Sequence, residues 1–406
     1  MAILNNRDII IVGQQSWDTP IGSNCKDLAL EFSKNNRVLY VNAPLDRKTS
    51  LLQRDTESVK KRLRIIAGQE EALTEVAENF WVYDPTVLIE SVNWIRFSIL
   101  FRWLNKINNR RFSRSIQDAV KQLDFKNFIL FNDNDIFRSF HLKEFLKPAV
   151  SVYYSRDNVV ATPYWKRHGS YLEPELIAKS DLCVANSVYL AGYCRKYNPN
   201  SFYVGQGCDL QLFNDGGALE IPMDLSVIKK PVLGYIGALL SIRLDENILL
   251  HLARERPNWN IVLVGPEDED FKRSELHKLS NVYFLGPKKP EDLAAYIKGF
   301  DICLNPQVIN PLTIGNYPRK IDEYLAMGKP TLATKTEAMD IFADYVYLAE
   351  TKEDYLHLAE KALAEDSLAL ARERIGFAAT HTWEANTREI YKAINAVEGS
   401  LSARTL

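Results

Sequence analysis

The sequence predicts an α/β protein built from two Rossmann-like halves, and three observations carry this prediction. Two segments, "RDIIIVG" at residues 7–13 and "PVLGYIGA" at residues 231–238, are apolar runs that close on glycine. Each is followed by a loop, a helical pattern and a further apolar strand. The alternation of strand and helix then continues through both halves, which is typical of parallel sheets covered by helices.

A chain of 406 residues is longer than one hydrophobic core usually accommodates, which favours two or three domains. We expect one domain at residues 1–212 and a second at 213–382, because its glycines and Pro222 make the stretch 213–230 look like a linker. The candidate strands of the first half are 7–13, 37–44, 127–131, 149–154, 181–185 and 201–204. Those of the second half are 231–238, 260–266, 281–285, 301–304, 330–333 and 345–348.

Composition excludes several classes of protein. The formal net charge is −2 and no basic arm is present, so we expect no nucleic acid partner. The first apolar run is short and interrupted, unlike a signal peptide, and no stretch reaches the roughly 18 apolar residues of a membrane span. The five cysteines form no Cys-x-x-Cys pair and the six histidines lack metal spacing. We therefore expect reduced thiols, a cytoplasmic location and no metal site.

The loops after the strands are the places to search for function, because ligands of such sheets bind beyond the carboxyl ends of parallel strands. Two halves facing each other would form a cleft suited to a small molecule. The G-x-G-x-x-G fingerprint is absent after both first strands, which argues against a nicotinamide dehydrogenase.

Two predicted helix starts carry groups that suit an anion. Gly22 and Ser23 directly precede a helix whose free N–H groups suit a phosphate, and an ordinary helix cap is the alternative. Arg243 stands ahead of the helix that Asp245 is predicted to cap. Its guanidinium fork matches a diphosphate, and a solvated surface arginine is the alternative.

The stretch "NPLTIGNYPRKIDEYLAMGKPTLAT", residues 310–334, combines a loop, a short helix and a strand. Pro318 suits the opening of the helix and Gly328 its end. Lys320 and Glu323 are three residues apart, so they share one helical face. That face points either to the cleft or to solvent, where the two residues would form a plain salt bridge.

The segment "RKIDEYLAMGKPTLAT" resembles the K-x-x-E-Y-L-A-x-G-K-P-V-V segment of retaining GT-B glycosyltransferases, the glycosyltransferase family 4-like or group 1 enzymes. Four further stretches are similar to that family in the same order: "EPELIAKSDLCVANSVYLAGYCRKYNPNSFYVGQGCDLQLF", "RLDENILLHLARERPNWNIVLVGP", "VYFLGPKKPEDLAAYIKGFDICLNP" and "HTWEANTREI". The resemblance spans most of residues 172–390. It implies two Rossmann-like domains facing each other across a cleft, with residues 383–406 crossing back onto the first domain.

The resemblance also implies roles for individual residues. A residue matching Glu323 holds the ribose hydroxyls of a nucleotide-sugar, and basic groups matching Arg243 and Lys320 face its diphosphate. The family uses no bound divalent metal, so fixed cations stabilise the leaving nucleoside diphosphate. Further donor contacts are expected from Gly237, Gly265, Leu285, Gly315 and Asn316, within the stretches 237–243, 264–266, 284–288 and 315–323. The acceptor would enter over the loops near 13–23, which include Gly22 and Ser23, and 156–168.

The chain departs from the family pattern at Gly315. Many relatives carry Glu-x7-Glu, in which the earlier Glu lies near the donor sugar, and counting back from Glu323 places Gly315 there. Backbone N–H groups of residues 313–316 are the expected substitute. The departure leaves the identity of the donor sugar open.

The loop "SVYYSRDNVVATPYW" of the first half resembles the Y-x-x-x-D turn of relatives, with Arg156 and Asp157 on the side of the cleft. Asp157 would orient sugar hydroxyls or act as a base, and capping of the next turn is the alternative. His168, in "KRHGS", is a further catalytic candidate.

The segment 92–114 carries six basic residues and no acidic one. Trp94, Phe97, Phe101 and Leu104 recur at helical spacing, and further apolar residues broaden that face. A basic, aromatic-rich helix of this kind suits an anionic bilayer. The alternative is a domain helix whose apolar side packs on the first sheet.

Taken together, the sequence predicts a metal-independent, cytoplasmic glycosyltransferase that is either soluble or in peripheral contact with the inner face of the membrane. It would transfer a sugar from a donor such as a UDP- or GDP-sugar, with retention, to a glycan or lipid-linked acceptor in polysaccharide or glycoconjugate biosynthesis. We expect no cofactor beyond the donor substrate. Two alternatives are open: a sugar-nucleotide epimerase of the same fold, and a nucleotide-sugar-binding protein without turnover, which the glycine at position 315 motivates.

Overall fold

The computed structural model describes residues 4–19, 23–214 and 219–404. The chain divides into two compact units: unit 1 comprises Met1–Gly205 and Asn386–Leu406, and unit 2 comprises Gln206–Ala385. The first boundary lies before the predicted one at 212/213, and the stretch 213–230 belongs to unit 2 rather than to a linker. The reason is apolar burial, because Phe213, Leu225 and Ile228 pack into the core of unit 2. The glycines at 216 and 217 lie outside the described residues.

Unit 1 is a three-layer α/β unit around one large sheet. Its strands are β1 (Asp8–Gly13), β2 (Arg37–Val41), β3 (Leu45–Asp46), β4 (Leu73–Ala77), β5 (Phe80–Tyr83), β6 (Leu88–Ile89), β7 (Ile129–Asp133), β8 (Val150–Ser155), β9 (Leu182–Ala185) and β10 (Ser201–Tyr203). Its helices are α1 (Asn24–Ser33), α2 (Arg47–Leu52), α3 (Glu57–Ile66), α4 (Ser98–Gln122), α5 (Leu142–Leu146), α6 (Pro163–Lys179) and α7 (Val188–Arg195).

Unit 2 repeats this plan with a smaller sheet. Its strands are β11 (Val232–Ile236), β12 (Asn260–Val264), β13 (Val282–Phe284), β14 (Ile302–Asn305), β15 (Thr331–Thr334) and β16 (Tyr347–Ala349). Its helices are α8 (Met223–Ser226), α9 (Glu246–Glu255), α10 (Leu293–Gly299), α11 (Lys320–Ala326), α12 (Lys352–Glu365) and α13 (Leu368–Ala378). The last helix, α14 (Trp383–Arg404), begins in unit 2 and continues in unit 1.

In both units the first strand lies inside the sheet, so that the chain winds away from it in two directions. The large sheet has the order β10-β9-β8-β7-β1-β2-β5-β4, and the smaller one β13-β12-β11-β14-β15-β16. Every pairing in the smaller sheet is parallel, and in the large sheet only the pairing of β4 with β5 is antiparallel. These two parallel sheets confirm the predicted α/β class.

The predicted strands are all present, with bounds shifted by a few residues. Apolar side chains fill both faces of the smaller sheet, which explains why its strands read as continuous apolar runs. Four strands were not predicted: β3, β4, β5 and β6. The strands β3 and β6 have two residues each, and β4 is an exposed edge strand without a buried face, so none of these three gives an apolar pattern. The strand β5 is a buried apolar run of only four residues, which was overlooked.

The segment 92–114 is helical only from Ser98 onward, since Phe97 has the extended dihedrals φ −77° and ψ 114°. The prediction of one helical face through Trp94, Phe97 and Phe101 was therefore wrong for its first part. The spacing of three residues between Trp94 and Phe97 fits a helix, but it also fits an extended chain, which is what the structure has there. No helix in the described part of the chain has both the length and the apolarity needed to span a bilayer.

Tyr324 ties α11 to the first strand of unit 2. Its hydroxyl accepts a hydrogen bond from the backbone N–H of Ile236 at 2.9 Å, and the side chain is fully buried. The substitution Tyr324→Phe leaves that N–H without a partner and should lower the free energy of unfolding by about 1–3 kcal/mol in urea titrations. Tyr345→Phe is the control, because Tyr345 is half-buried in the same unit and stacks on Phe377. Equal losses for the two variants would contradict the assignment.

Candidate functional site

The smaller sheet of unit 2 has its switch point between β11 and β14. From β11 the chain runs to β12 and β13 on one side, then returns to β14 on the other side. The loops that follow β11 and β14 therefore leave the sheet edge in opposite directions and open a crevice there. Residues 237–245 and 306–319 form these two loops.

Two glycines allow the strand ends to approach each other closely. Gly237 follows β11 with φ +139°, and Gly265 follows β12 with φ +152°. A Cβ at Gly265 would lie only 2.0 Å from the carbonyl oxygen of Gly237. The backbone can take this path only without side chains, so these glycines shape the floor of the crevice.

Lys320 brings an ammonium group to the same floor. It is the first residue of α11, and its Nζ donates to the Tyr235 hydroxyl at 2.6 Å. A Cβ at Gly237 would lie 3.0 Å from that Nζ, so the amine sits directly against the end of β11. Among the described residues, Lys320 makes no ion pair with Glu323, so the plain salt bridge considered above is not formed.

Arg243 joins the two loops of the crevice. With the Asn316 amide turned so that both of its groups are bonded, the amide oxygen accepts from Arg243 Nη1 at 2.9 Å. The backbone N–H of Asp245 donates to Pro306 O at 2.8 Å, which links the loops again. Asp245 is the N-cap of α9, as predicted, with its side chain accepting from the Asn247 N–H.

Glu323 lies one turn further along α11 and is 14% exposed. Its closest basic partner is Arg319, whose Nε lies 3.5 Å from Oε1. Burial raises the pKa of Glu323, and the charges of Arg319 and Lys320 oppose this rise. The carboxylate is thus poorly solvated and retains capacity to accept further hydrogen bonds.

A buried carboxylate that the sequence did not indicate anchors α11. Asp322 is fully buried, and it accepts from the Tyr317 hydroxyl at 2.9 Å and contacts His381 Nδ1 at 2.7 Å. His381 O in turn accepts from the backbone N–H of Cys208 at 3.0 Å. These bonds connect the helix that carries Lys320 to the first and last segments of unit 2.

Two further predicted donor contacts, Gly315 and Leu285, lie in the loops that follow β14 and β13. Gly315 is buried in the loop after β14, directly before Asn316. Leu285 follows β13, where its N–H donates to Leu263 O at 2.9 Å. The structure brings Gly237, Gly265 and Lys320 together, and Arg243 with Asn316, whereas Leu285 stands at the outermost strand on its side of the sheet.

Sequence reasoning missed Tyr235 and Arg319 as members of the crevice. Tyr235 lies inside β11, where a tyrosine is expected to be an ordinary core residue. Arg319 is four residues before Glu323, so the helical spacing contained a signal for this pair. In the described part of the chain, no group of three or more His, Cys, Asp or Glu side chains is arranged to hold a metal ion.

Unit 1 has an equivalent switch point between β1 and β7, where Gly13 pairs with Asp133. Asp133 is fully buried and accepts from Arg156 Nε at 2.7 Å. The other end of that guanidinium donates to Asp157 at 2.8 Å. Asp157 is therefore held by its neighbour at the carboxyl edge of the sheet. Ser23 caps α1 by accepting from the Lys26 N–H, and Gly22 lies outside the described residues.

A cavity of about 690 Å³ opens at this edge of unit 1. Gln14, after β1, and Arg138, after β7, line it together with the aromatic residues Trp94, Tyr164 and Trp165. His168, by contrast, is buried, stacks on Phe101 at 3.7 Å and belongs to the core. Aromatic faces beside amides and charged groups are the surfaces that suit a sugar ring.

Residues 230–370 match the model of a known family. The model described as glycosyl transferases group 1 covers residues 230–370, a range that includes Arg243, Lys320 and Glu323. The chain is also 31% identical over 168 residues to TuaH of Bacillus subtilis (strain 168), a protein assigned as a glycosyltransferase of teichuronic acid biosynthesis. That alignment covers 40% of this chain and 42% of TuaH, so it spans less than half of the relative.

Solved structures resemble the chain over nearly its whole length. Sucrose-phosphate synthase from Thermosynechococcus elongatus aligns with a TM-score of 0.65 at 13% identity, covering 97% of this chain and all (100%) of that one. Anabaena HepE in complex with UDP and glucose gives 0.63 at 14%, covering 96% and 100%. α,α-Trehalose 6-phosphate synthase from Burkholderia multivorans gives 0.67 at 10%, covering 99% of each. The fold is that of GT-B glycosyltransferases, as predicted.

Gly265 tests whether the close backbone approach is required. The substitution Gly265→Ala places a Cβ against the Gly237 carbonyl and strains a positive φ, so we expect a loss of roughly 2–5 kcal/mol in the free energy of unfolding. Gly376→Ala is the control, since a Cβ there meets nothing within 4 Å in α13. The control should be neutral or slightly stabilising in the same urea titration. A neutral Gly265→Ala variant would show that the strand ends can separate freely.

Proposed function

We propose that this protein is a glycosyltransferase that moves a sugar from a nucleotide-sugar to a hydroxyl group of an acceptor. The observation that carries the proposal is the paired arrangement of Lys320 against Gly237 and Arg243 against Asn316 at one crevice of unit 2. All four residues fall within the stretch that matches the group 1 glycosyl transferases. HepE, a structural neighbour, was solved with UDP and with UDP-glucose, which supports a nucleotide-sugar donor and makes UDP-sugars the first to test.

The two cations supply the electrostatic part of the reaction. As the bond between the anomeric carbon and the diphosphate oxygen breaks, negative charge grows on the leaving nucleoside diphosphate. Lys320 is held in place by Tyr235, and Arg243 by Asn316, so both charges are oriented before the reaction begins. Fixed charges that need no reorganisation stabilise a transition state most effectively. The proposal includes metal independence, because these residues take the role of a bound cation.

Glu323 would position the donor. A carboxylate can accept hydrogen bonds from two hydroxyl groups at once, which matches the adjacent hydroxyls of a ribose. The Glu323 carboxylate is largely buried and its pKa is raised, so few water molecules hydrate it. The ribose hydroxyls would supply hydrogen bonds that water supplies only in part. Gly237, Gly265, Leu285 and the backbone at Gly315 would complete the walls of the nucleotide-sugar site. This contribution is mainly one of orientation.

Unit 1 would bind the acceptor. Its 690 Å³ cavity lies at the carboxyl edge of the sheet, with Trp94, Tyr164 and Trp165 available to stack on sugar rings. Asp157, held by Arg156, would orient a hydroxyl group near the same edge. We propose a glycan or lipid-linked acceptor in polysaccharide or glycoconjugate biosynthesis, in line with the assignment of TuaH. Retention of configuration belongs to this proposal and rests on the family resemblance. Work at the inner membrane face belongs to it as well and rests on the basic, aromatic-rich segment 92–114.

Removal of Lys320 tests the donor site. Lys320→Ala should weaken binding of the correct nucleotide-sugar about 10- to 100-fold, because a buried charge-assisted contact to the diphosphate is lost. A thermal-shift panel of UDP- and GDP-sugars identifies the donor, and calorimetry then measures affinity. Lys272→Ala is the control, since Lys272 is an exposed lysine of the same unit paired with Glu269. Equal affinity of Lys320→Ala and wild type would remove Lys320 from the site.

The same panel separates the alternatives that Gly315 leaves open. Donor-dependent glycosylation of an added acceptor supports the transferase. Conversion of the nucleotide-sugar without acceptor would indicate an epimerase, and tight binding without any conversion would indicate a binding protein.

Glu323→Gln should affect stability in a pH-dependent way. Because burial raises the pKa of Glu323, the folded state binds its proton more tightly than the unfolded state, and this stabilisation is lost as the pH rises through the folded pKa. Glutamine does not ionise. The free energy of unfolding of Glu323→Gln minus that of wild type should therefore increase between about pH 4.5 and pH 7. The control is Glu291→Gln, an exposed carboxyl of unit 2. If the difference between Glu323→Gln and wild type were the same at both pH values, the carboxyl group of Glu323 would not be poorly solvated in the folded protein.

A further inference from the structure

A group of large apolar side chains projects from unit 1 into solvent, within residues 94–103. We call it the apolar projection. Its members are Trp94 (73% exposed), Phe97 (78%), Ile99 (83%), Leu100 (45%) and Trp103 (59%). Phe97, Ile99, Leu100 and Trp103 line one shallow surface pocket, so these four form a continuous surface rather than scattered single side chains. Trp94 precedes them by three residues and lines the neighbouring cavity. Contiguous exposed apolar surface in a folded protein marks a site of interaction.

The core of unit 1 does not need the apolar projection. Ile95 and Phe101 point inward and are buried, and Leu104 packs beside them in the same hydrophobic cluster. Trp103 lies between these inward positions and stays exposed. The start of α4 therefore has two apolar faces, and packing on the sheet accounts for only one of them.

The apolar projection is held in place and is not a loose loop. His168 Nε2 bonds with the carbonyl oxygen of Ile95 at 2.8 Å, and its ring stacks on Phe101 at 3.7 Å. Arg167 Nη1 donates to the carbonyl oxygen of Trp94 at 3.3 Å. A rigid scaffold thus presents the apolar side chains, so that little conformational entropy would be lost when they are covered.

The charges around the apolar projection are mostly positive. Arg96 lies within the segment and is exposed, Arg167 donates to the Trp94 carbonyl, and Lys166 is exposed next to Arg167 in α6. The adjoining cavity is lined by Lys48, Arg138 and Arg167 and by two carboxylates. Of these carboxylates, Glu90 is paired with Arg47, and Asp46 accepts hydrogen bonds from the Thr49 N–H and the Ser91 hydroxyl. The acidic group facing α4 from α6 is Glu175, which pairs with Arg102 at 2.5 Å. The segment 92–114 has no acidic residue. The chemistry that complements this surface is apolar in its centre and anionic at its border.

We propose that the apolar projection docks this protein on an anionic lipid bilayer. Phe97 and Ile99, the most exposed members, would enter the acyl region, while Trp94 and Trp103 would lie at the level of the headgroups, where indole rings are favoured. The exposed arginines and lysines would contact lipid phosphates. A second copy of the chain fits less well, because the same basic border would then face itself.

Docking on a bilayer would determine which molecule can enter the 690 Å³ cavity of unit 1. Trp94 is a member of the apolar projection and Arg167 lies at its basic border, and both residues also line the 690 Å³ cavity. The cavity would thus open at the headgroup level, and its occupant would be a glycan attached to a membrane lipid through a phosphate group. This assignment of the acceptor rests on the proposed function, whereas the docking itself does not.

The test uses the full-length protein and vesicles of phosphatidylcholine, with or without phosphatidylglycerol. Wild type should sediment with the phosphatidylglycerol vesicles, and less so at high salt. The double variant Phe97→Glu/Ile99→Glu should bind them about tenfold more weakly or worse, because two side chains no longer enter the acyl region. Since both side chains are exposed, the fold should not change. Arg96→Gln/Lys166→Gln should remove most of the preference for the anionic lipid.

The matched control is Val227→Glu/Leu368→Glu, two apolar residues of unit 2 with 75% and 79% exposure. It adds the same charge and should bind vesicles like wild type. Equal binding of this control and Phe97→Glu/Ile99→Glu would overturn the proposal, as would a lipid-free dimer that the Phe97→Glu/Ile99→Glu variant dissociates. Nucleotide-sugar calorimetry on every variant keeps the questions apart: vesicle binding without donor binding refutes the glycosyltransferase, and donor binding without vesicle binding refutes only the docking.

Discussion

The close backbone approach at the ends of β11 and β12 is the constraint on which the candidate donor site depends. Because Gly265 and Gly237 lack side chains, two strand ends come within a distance that any Cβ would prevent. This leaves a floor on which the Lys320 amine can rest, oriented by the Tyr235 hydroxyl. The position of the Lys320 ammonium group therefore depends on the absence of a Cβ atom at Gly237 as well as on the hydrogen bond to Tyr235. A side chain at Gly237 would crowd the Lys320 amine that the proposed chemistry requires, and one at Gly265 would force the two strand ends apart.

Both units place their candidate sites by the same topological rule. In each sheet the first strand is internal, and the loops after it and after the strand on its other side diverge at the carboxyl edge. The two crevices differ in chemistry. That of unit 2 carries fixed cations around a glycine floor, which suits a diphosphate, whereas the cavity of unit 1 is lined by aromatic and polar side chains, which suit sugar rings. One fold plan thereby offers two kinds of ligand surface.

Much of the fold could be read from the amino-acid pattern. The strands are continuous apolar runs because parallel sheets bury both faces, and capping residues such as Asp245 and helix ends such as Gly328 have strong local preferences. Elements without such a signal were missed, as with the exposed edge strand β4. The motif around Glu323 directed attention to the loops after β11 and β14, and the roles of the individual residues stay predictions. Local sequence carries this information because each of these features is decided within a few residues.

Folding alone decided which partners those residues meet. Lys320 and Glu323 share a helix, but the lysine bonds to Tyr235, 85 positions away, and the glutamate faces Arg319. Likewise, an alternation of apolar residues near Phe97 could not reveal that one face of the segment would be buried and the other exposed. Periodicity describes how side chains are distributed around one element. The identity of the group that packs against them depends on distant segments, which only the assembled sheets and helices bring together.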